Sequence, residues 1–197
     1  MIVLGLTGSI GMGKSTTAKF FKQKGIPVYD ADETVHQLYQ DESVIKRVKA
    51  IFDDCLTDNH IDRAKISRQI VQEPAKLVSL EKIIHPLVRE KENAFVATHR
   101  KNGDKLVVLD IPLLFETGGL ERVDKIAVVS APLEIQRQRV LQRDGWTEEK
   151  FQAVLARQIP DSEKRMRADF IIDTSKGLEY AENEVDNIIS LLMSERW

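Results

Sequence analysis

The stretch "GSIGMGKST" at residues 8–16 combines glycines, a lysine and hydroxyl side chains directly after an apolar run. Gly8 and Gly13 are separated by four residues and followed by Lys14 and Ser15, the pattern of a phosphate-binding loop between a strand and a helix. Glycines let backbone amides turn around phosphate oxygens, and the helix dipole adds its positive end. A chance glycine-rich turn is the alternative, which the flanking elements disfavour. The predicted nucleotide-binding residues are Gly8, Gly11, Met12, Gly13, Lys14, Ser15 and Thr16.

Three side chains of this loop have separate predicted tasks. Lys14 is expected to reach the β and γ phosphates of a nucleotide, and Ser15 to hold Mg²⁺. Thr16 could support the α phosphate through its hydroxyl. The loop therefore predicts ATP and Mg²⁺ as ligands, but it does not by itself predict what receives the phosphate.

Acidic residues at the ends of two predicted strands could supply the remaining chemistry. "DAD" at residues 30–32 ends the second strand, and Asp110 ends the third. Phosphoryl transfer to an alcohol needs a carboxylate that orients the hydroxyl and accepts its proton. We predict Asp32 for that role, with helix capping as the alternative, and Asp30 for orientation or metal-bound water. Asp110 is expected near Mg²⁺ or the substrate, unless it simply ends its strand.

The chain lacks the features of other proteins that carry such a loop. A GTPase switch needs an Asn-Lys-x-Asp segment after a later strand, and no such string occurs. A helicase or a transporter ATPase needs a far larger body and a strand that ends in paired acidic residues. These absences favour a small-molecule kinase with a P-loop.

Basic residues after the fourth predicted strand could form a lid over the phosphates. Arg139 and Arg143 are four residues apart, which places both on one face of a helix. Small-molecule kinases close such a lid to exclude water and to bring arginines onto the migrating charge. A solvated helix face is the alternative. Further basic residues of this region are Arg157, Lys164, Arg165 and Arg167.

The elements that position these residues follow the rhythm of a parallel sheet, in which short β-branched runs alternate with helical stretches. The apolar runs cover residues 2–6, 27–30, 106–111, 125–131 and 169–174, and the covering helices are predicted at 14–24, 132–143 and 178–193. The predicted fold class is therefore α/β, a three-layer P-loop NTPase fold with a five-stranded parallel sheet, a helical substrate-binding insert and a lid.

The insert follows from the spacing between the second and third strands, which far exceeds a simple crossover. Almost all of this stretch is predicted to be helical, with its own apolar face. Pro86 is expected to bend or break the last helix near His85. The predicted domains are a core of residues 1–31 and 101–197, with a lid at about 137–167, and an insert of residues 32–100.

The composition excludes several classes of protein. A net charge of −2 over 197 residues does not favour broad binding to nucleic acid or anionic membranes. The amino-terminal apolar run is too short and glycine-broken for a signal peptide or a membrane span, so we expect a cytoplasmic protein, either a monomer or a small homo-oligomer. The single cysteine, Cys55, cannot form an internal disulfide and carries no functional hypothesis.

Taken together, the motifs resemble those of dephospho-coenzyme A kinases over nearly the whole chain. The segments that carry the resemblance are "GLTGSIGMGKST", "VYDAD", "LEKIIHPLVR", "VVLDIPLLFE", "QRQRVLQRDGWTEE" and "ADFIIDTSKG", in that order. In that family, ATP phosphorylates the ribose 3′-hydroxyl of dephospho-coenzyme A, with Mg²⁺ present, and completes coenzyme A synthesis. The resemblance implies that Asp32 is the base and that the insert holds the acceptor.

The resemblance also assigns residues outside the loop. His85 and Arg89 fall in the acceptor site, Arg139 and Arg143 in the lid, and "ADFIIDTSKG" beside the adenine. Where the family usually has asparagine followed shortly by glycine, this chain has residues 174–176 before Gly177. The predicted catalytic residues are Lys14, Asp32, Arg139 and Arg143; the predicted substrate contacts are Asp30, Asp32, His85, Arg89, Asp110 and Leu114; the predicted metal ligands are Ser15 and Asp110.

Two alternatives remain open from the sequence. One is another small-molecule kinase that acts on a nucleoside monophosphate or a polyol, although the long insert argues against so small an acceptor. The other is a regulatory module that binds ATP without turnover. Asp32 discriminates this module from a kinase, because a pure binder needs no carboxylate there.

Overall fold

The computed structural model describes residues 1–194, and the chain divides into two compact units. The first unit joins Met1–Tyr29 to the chain from Val96 onwards, and we call it the core unit. The second unit is Asp30–Phe95, the insert unit. The insert boundaries expected from the sequence, 32–100, lie a few residues later at each end.

The elements alternate in the core unit and are mainly helical in the insert. In chain order they are β1 (Ile2–Thr7), α1 (Lys14–Gln23), β2 (Val28–Asp30), α2 (Ala31–Leu38), α3 (Glu42–Lys49), β3 (Leu56–Thr57), β4 (His60–Ile61), α4 (Arg63–Gln72), α5 (Ala75–Lys101), β5 (Leu106–Asp110), β6 (Lys125–Ser130), α6 (Leu133–Leu141), α7 (Glu148–Leu155), α8 (Asp161–Met166), β7 (Phe170–Asp173) and α9 (Leu178–Ser194).

The five strands of the main sheet lie in the order β2, β5, β1, β6, β7. Strand β1 is central and runs parallel to both of its neighbours, and β7 runs parallel to β6. The prediction of a five-stranded parallel sheet in an α/β fold is confirmed. From β1 the chain first passes to β2, at one edge of the sheet. It later passes through β6, on the other side of β1, to reach β7 at the opposite edge. A crevice at the carboxyl end of β1 is therefore the expected place for a ligand.

Helices cover the sheet because its strands are apolar on both faces. All six residues of β1 are buried. On one face, α1 contributes Ala18 and Phe21 to the core, and α9 contributes an apolar stripe at helical spacing that contains Val185 and Ile188. Helix α8 contacts β6. The main core therefore consists largely of β-branched and leucine side chains packed between the sheet and these helices. This close packing holds the ends of the strands in defined positions.

The insert unit has a hydrophobic core of its own, which includes Val48, Phe52 and Ile84. It is not entirely helical, because β3 and β4 form an antiparallel hairpin that the sequence analysis did not predict. Asp58 and Asn59 at its turn both have positive φ angles, 49° and 63°. That conformation is typical of a two-residue hairpin turn and is tolerated by Asp and Asn. The local signal was therefore present in the sequence.

Helix α5 continues through Pro86, so of the bend or break expected near His85 the break does not occur. A proline inside a helix removes one hydrogen bond and crowds the preceding turn. Here the buried side chains of Leu80, Ile83 and Ile84 anchor the turns before Pro86 in the core of the insert. Packing thus outweighs the local cost. Neither α5 nor another helix within residues 1–194 has the length and apolarity that crossing a membrane requires.

Candidate active site

The phosphate-binding loop joins β1 to α1 in a conformation that requires its glycines. Gly11 and Gly13 have φ angles of 76° and 94°, in the left-handed region that favours glycine. A Cβ atom on Gly8 would lie 2.7 Å from the backbone oxygen of Val129. A Cβ atom on Gly11 would lie 2.6 Å from a methyl carbon of Val140. The loop is therefore shaped both by backbone geometry and by close contact with the elements behind it.

The amino-terminal end of α1 is available for an anion. Its N-cap is Gly13, which has no side chain to cap the first amides of the helix. Ser15 and Thr16, in the first turn, are exposed, whereas Thr17 is buried and hydrogen-bonds to the Gly13 carbonyl. Unsatisfied amides and the helix dipole make such an end a site for phosphate. The exposed hydroxyls stand beside that site.

Lys14 and Asp110, which are far apart in sequence, form an ion pair in the core unit. The Lys14 Nζ lies 2.5 Å from Asp110 Oδ1, and the two side chains are only 13% and 3% exposed. The pair forms because Asp110 ends β5, which runs beside β1 with Leu6 opposite Asp110. A lysine and a carboxylate predicted for different tasks are thus brought together. A bound phosphate would compete with Asp110 for Lys14.

Arg139 is fastened to Thr174 beside the loop. Its Nη1 donates to Thr174 Oγ1 and its Nη2 to the Thr174 carbonyl, both at 2.8 Å. Thr174 Oγ1 in turn donates to the Met12 carbonyl at 2.8 Å. Thr174 is a candidate site residue that was not predicted from the sequence, although it begins the segment where this chain departs from the usual asparagine pattern. It connects the predicted lid to the phosphate-binding loop.

A cavity of about 380 Å³ lies between the loop, α1 and the segment after β7. Both predicted lid arginines line it, but Arg143 lies beyond the end of α6 at Leu141. The prediction that the two arginines share one helix face is therefore wrong. They meet because the chain turns after the helix ends. The lining residues are Gly11, Gly13, Thr16, Thr17, Phe20, Arg139, Arg143, Thr174, Ser175, Gly177, Leu178 and Ala181.

Asp173, next to Thr174, helps to fix this segment. Burial alone would raise the pKa of the Asp173 carboxyl, but two hydrogen bonds from Ser175 and the nearby charges of Lys176 and Arg165 together lower the pKa overall. The Ser175 hydroxyl donates at 2.6 Å and its backbone amide at 2.9 Å. The segment that lines the cavity is therefore capped by a carboxylate that stays ionised.

Two predictions about the site do not fit the structure. Lys164 was named among the basic residues of the possible lid, but its side chain is fully buried, with Nζ 2.8 Å from Glu116 Oε1. Leu114, expected to contact the acceptor, is also fully buried, and a Cβ atom on Gly5 would lie 2.9 Å from its side chain. Leu114 therefore supports β1 from within the core. Phe115, the next residue, is also buried, and the Arg167 guanidinium lies 4.8 Å from the centre of its ring.

The buried ion pair between Glu116 and Lys164 is expected to stabilise the fold. Replacing Glu116 with alanine leaves a buried cation without its counter-ion, which costs about 3 to 5 kcal/mol of unfolding free energy. We expect the unfolding temperature to fall by about 10 °C in a thermal melt followed by circular dichroism.

Two further variants separate charge pairing from general damage. Glu121→Ala, at an exposed acidic residue nearby, should change the unfolding free energy by less than about 0.5 kcal/mol. The double variant Glu116→Gln with Lys164→Met should lose less than Glu116→Ala, because it removes both charges. An unfolding temperature for Glu116→Ala equal to that of the unchanged protein would show that the pair does not stabilise the fold.

In the insert unit, Asp30 takes the capping role that the sequence left open for Asp32. The Asp30 carboxylate accepts a hydrogen bond from the Glu33 amide at 3.0 Å and caps α2. Asp32 follows in the first turn of that helix with an exposed side chain. The capping alternative for Asp32 is thereby removed, and its carboxylate is available to solvent.

His85 and Arg89 are both exposed on α5, four residues apart. Because the helix continues through Pro86, the two side chains share one face. An exposed imidazole and guanidinium at this spacing could together contact an anionic ligand. A break of the helix at Pro86 would have removed this shared face, and the continuous helix preserves it.

Comparisons with known proteins agree with this arrangement. A family model described as Dephospho-CoA kinase matches residues 2–179. The dephospho-CoA kinase of Mesorhizobium japonicum is 58% identical over 196 residues, which cover 100% of this chain and 99% of that protein. The crystal structure of TT1252 from Thermus thermophilus is 34% identical, with a TM-score of 0.83 and 97% coverage of each chain. The dephospho-CoA kinase from Campylobacter jejuni is 25% identical, with a TM-score of 0.66 and 96% coverage of each chain.

These matches cover nearly the whole length of this chain and of each matched protein, so they include the insert as well as the loop. The resemblance drawn from the sequence is therefore confirmed, and the chain belongs to the dephospho-CoA kinase family.

Proposed function

We propose that the chain transfers the γ-phosphate of ATP to the ribose 3′-hydroxyl of dephospho-CoA and so produces CoA. The observation that carries this proposal is a complete phosphate-binding loop, with Lys14 paired to Asp110, in a chain of the dephospho-CoA kinase family. Neither another small-molecule kinase nor a pure ATP-binding module is favoured, because the family match extends through the insert.

For the nucleotide, the proposal assigns the loop amides and Lys14 to the phosphates. A bound β or γ phosphate would take the Lys14 ammonium from Asp110, since the two anions compete for one cation. The cavity of about 380 Å³ beside the loop suits the nucleoside. Arg139, held by Thr174, would form one side of that nucleoside site, and the exposed Arg143 would reach the phosphates when the lid closes.

For the metal, we propose Ser15 and Asp110 as the protein groups that hold Mg²⁺ or its water ligands. Within residues 1–194 no cluster of three or more His, Cys, Asp or Glu side chains could hold a metal ion. That fits Mg²⁺ bound with a nucleotide, because this ion keeps several waters and takes most other ligands from phosphates. When bound, Mg²⁺ neutralises charge that develops on the phosphates.

For the acceptor, we propose that the insert unit supplies the binding surface. Asp32 would orient the ribose hydroxyl and accept its proton as the new bond to phosphorus forms. Its exposed carboxylate supports this role, since Asp30 already caps α2. His85 and Arg89 would contact anionic groups of dephospho-CoA, because both are exposed donors on one face of α5. Asp30 would act on the acceptor indirectly by fixing the start of α2.

The setting of the reaction is also part of the proposal. We place it in the cytoplasm, where ATP is supplied. The assigned residues all come from one chain, so a monomer or a small homo-oligomer would suffice, and no nucleic-acid partner is required.

The proposal is tested by incubating the purified chain with ATP, Mg²⁺ and dephospho-CoA and following CoA by mass spectrometry. We expect CoA to accumulate with equimolar ADP. Parallel reactions with AMP and with gluconate represent the nucleoside monophosphate and polyol alternatives. ADP release equal to background with dephospho-CoA, together with turnover of one of the other acceptors, would sink the proposal. ATP binding without turnover of any acceptor would favour the regulatory module.

A further inference from the structure

Ile10, in the middle of the phosphate-binding loop, is held through both of its backbone polar groups by side chains from outside the loop. Its amide donates to Gln158 Oε1 at 3.1 Å. Its carbonyl accepts from Gln136 Nε2 at 2.7 Å. Gln136 lies on α6 and is 2% exposed, and Gln158 lies in the turn that follows α7. Neither glutamine belongs to the loop motif.

These bonds set the direction of the amides that follow. In a planar trans peptide, the carbonyl of one residue and the amide of the next point in opposite directions. Anchoring the Ile10 carbonyl on Gln136 therefore aims the Gly11 amide to the opposite side. The Met12 carbonyl is anchored on Thr174 in the same way, which sets the Gly13 amide. Two loop carbonyls are thus bound by protein side chains, and the glycine amides after them face away from those side chains.

Packing alone does not fix the loop on this side. Gln136 and Gln158 line a cavity of about 480 Å³ that also contacts Ser9 and Met12. Close packing against α6 confines the loop at Gly11, where a Cβ atom would lie 2.6 Å from a methyl carbon of Val140. Where the loop borders the cavity, directional bonds add to this confinement. The two glutamines supply these bonds to Ile10.

Gln158 is itself held firmly. The amide of the next residue, Ile159, donates to Glu116 Oε1 at 2.9 Å. Glu116 is the partner of the buried Lys164. The turn that carries Gln158 is therefore attached to the loop after β5 by a hydrogen bond to a carboxylate that is itself paired with a buried lysine. Because its backbone is held in place, the Gln158 side chain can make a well-defined hydrogen bond to Ile10.

We propose that Gln136 and Gln158 are positioning residues for the phosphates of the nucleotide. They hold the Ile10 backbone so that the loop amides face the phosphates, and they connect α6 and the turn after α7 to the loop. The predicted lid begins directly after Gln136 and includes Gln158. The two hydrogen bonds to Ile10 therefore couple the position of the lid to the shape of the loop. This inference rests on the proposed function only in taking a nucleoside triphosphate as the ligand of the loop.

The test compares ATP with adenosine, which lacks the phosphates that the loop binds. Gln136→Met keeps the length of the side chain but removes the amide donor. We expect this variant to bind ATP about tenfold more weakly, because a buried carbonyl loses its partner and the loop amides lose their alignment. Adenosine should bind with an affinity changed by less than about twofold. Titration calorimetry on the full chain, with adenosine measured by competition against ATP, gives both values.

Gln138→Met is the matched control, since Gln138 is an exposed glutamine on the same helix. It should change neither affinity. Gln158→Met changes the second, partly exposed glutamine. It tests the proposal on its own if circular dichroism shows that Gln136→Met is unfolded. Unchanged ATP affinity in the folded variants would overturn the proposal, as would an equal loss for ATP and adenosine. Because binding is measured without an acceptor, the result stands even if dephospho-CoA proves not to be the substrate.

Discussion

Asp32→Asn is expected to reduce kcat with dephospho-CoA by about 100-fold or more, which is the usual contribution of a positioned general base. The amide keeps the size of the carboxylate but cannot accept the proton of the ribose hydroxyl. The KM for ATP should stay within about twofold, because Asp32 belongs to the insert and is not part of the phosphate-binding loop. Initial rates measured with each substrate varied in turn separate the two parameters.

Glu33→Gln is the matched control for this variant. Glu33 is the next residue of α2, is also exposed, and undergoes the same change from a carboxylate to an amide. Its kcat should remain close to that of the unchanged enzyme. Equal rates for Asp32→Asn and Glu33→Gln would remove Asp32 from the role of base and require another proton acceptor.

Lys14→Met is expected to lower kcat/KM for ATP by about 1000-fold. A preorganised cation in a site of low exposure stabilises the charge on the transferring phosphate far more than a solvated one would. The same change removes the cation beside Asp110, whose side chain is 3% exposed, so the unfolding temperature should fall as well. Steady-state kinetics and a thermal melt measure these two effects independently.

A second substitution separates the two effects of Lys14→Met. Adding Asp110→Asn removes the buried carboxylate charge, so part of the lost unfolding temperature should return while activity stays low. Lys19→Met, at an exposed lysine on the same helix, is the control for loss of charge and should keep nearly full activity. Recovery of activity in the double variant would mean that Lys14 acts mainly as a structural partner of Asp110.

The glycine loop is the part of the site that the sequence predicts most completely. Its spacing after an apolar run is enough to specify a strand, a turn and a helix, because glycine adopts the positive φ angles found at positions 11 and 13 far more readily than other residues. Recognising the loop in the sequence needs no information from distant parts of the chain. The strands and the covering helix α9 are predictable for a related reason, since their apolar residues recur at regular spacing.

Three of the errors in prediction concern long-range contacts. Lys164 reads as another exposed cation, but the fold brings it to Glu116 and buries it. Pro86 reads as a helix breaker, but the core of the insert holds the helix on both sides of it. Leu114 reads as part of a ligand-facing wall, but it packs against β1. In each case the local sequence was interpreted correctly by local rules, and packing against a distant segment decided the outcome.

The sequence by itself determined the class of fold, the phosphate-binding loop and the family, because these depend on short motifs and on periodic apolar residues. Only the tertiary structure decided which side chains hold that loop in shape. Thr174, Gln136 and Gln158 reach it from separate elements that pack around the end of β1. No local pattern distinguishes them from other polar residues, since a hydrogen bond between distant segments exists only once the sheet has brought those segments together.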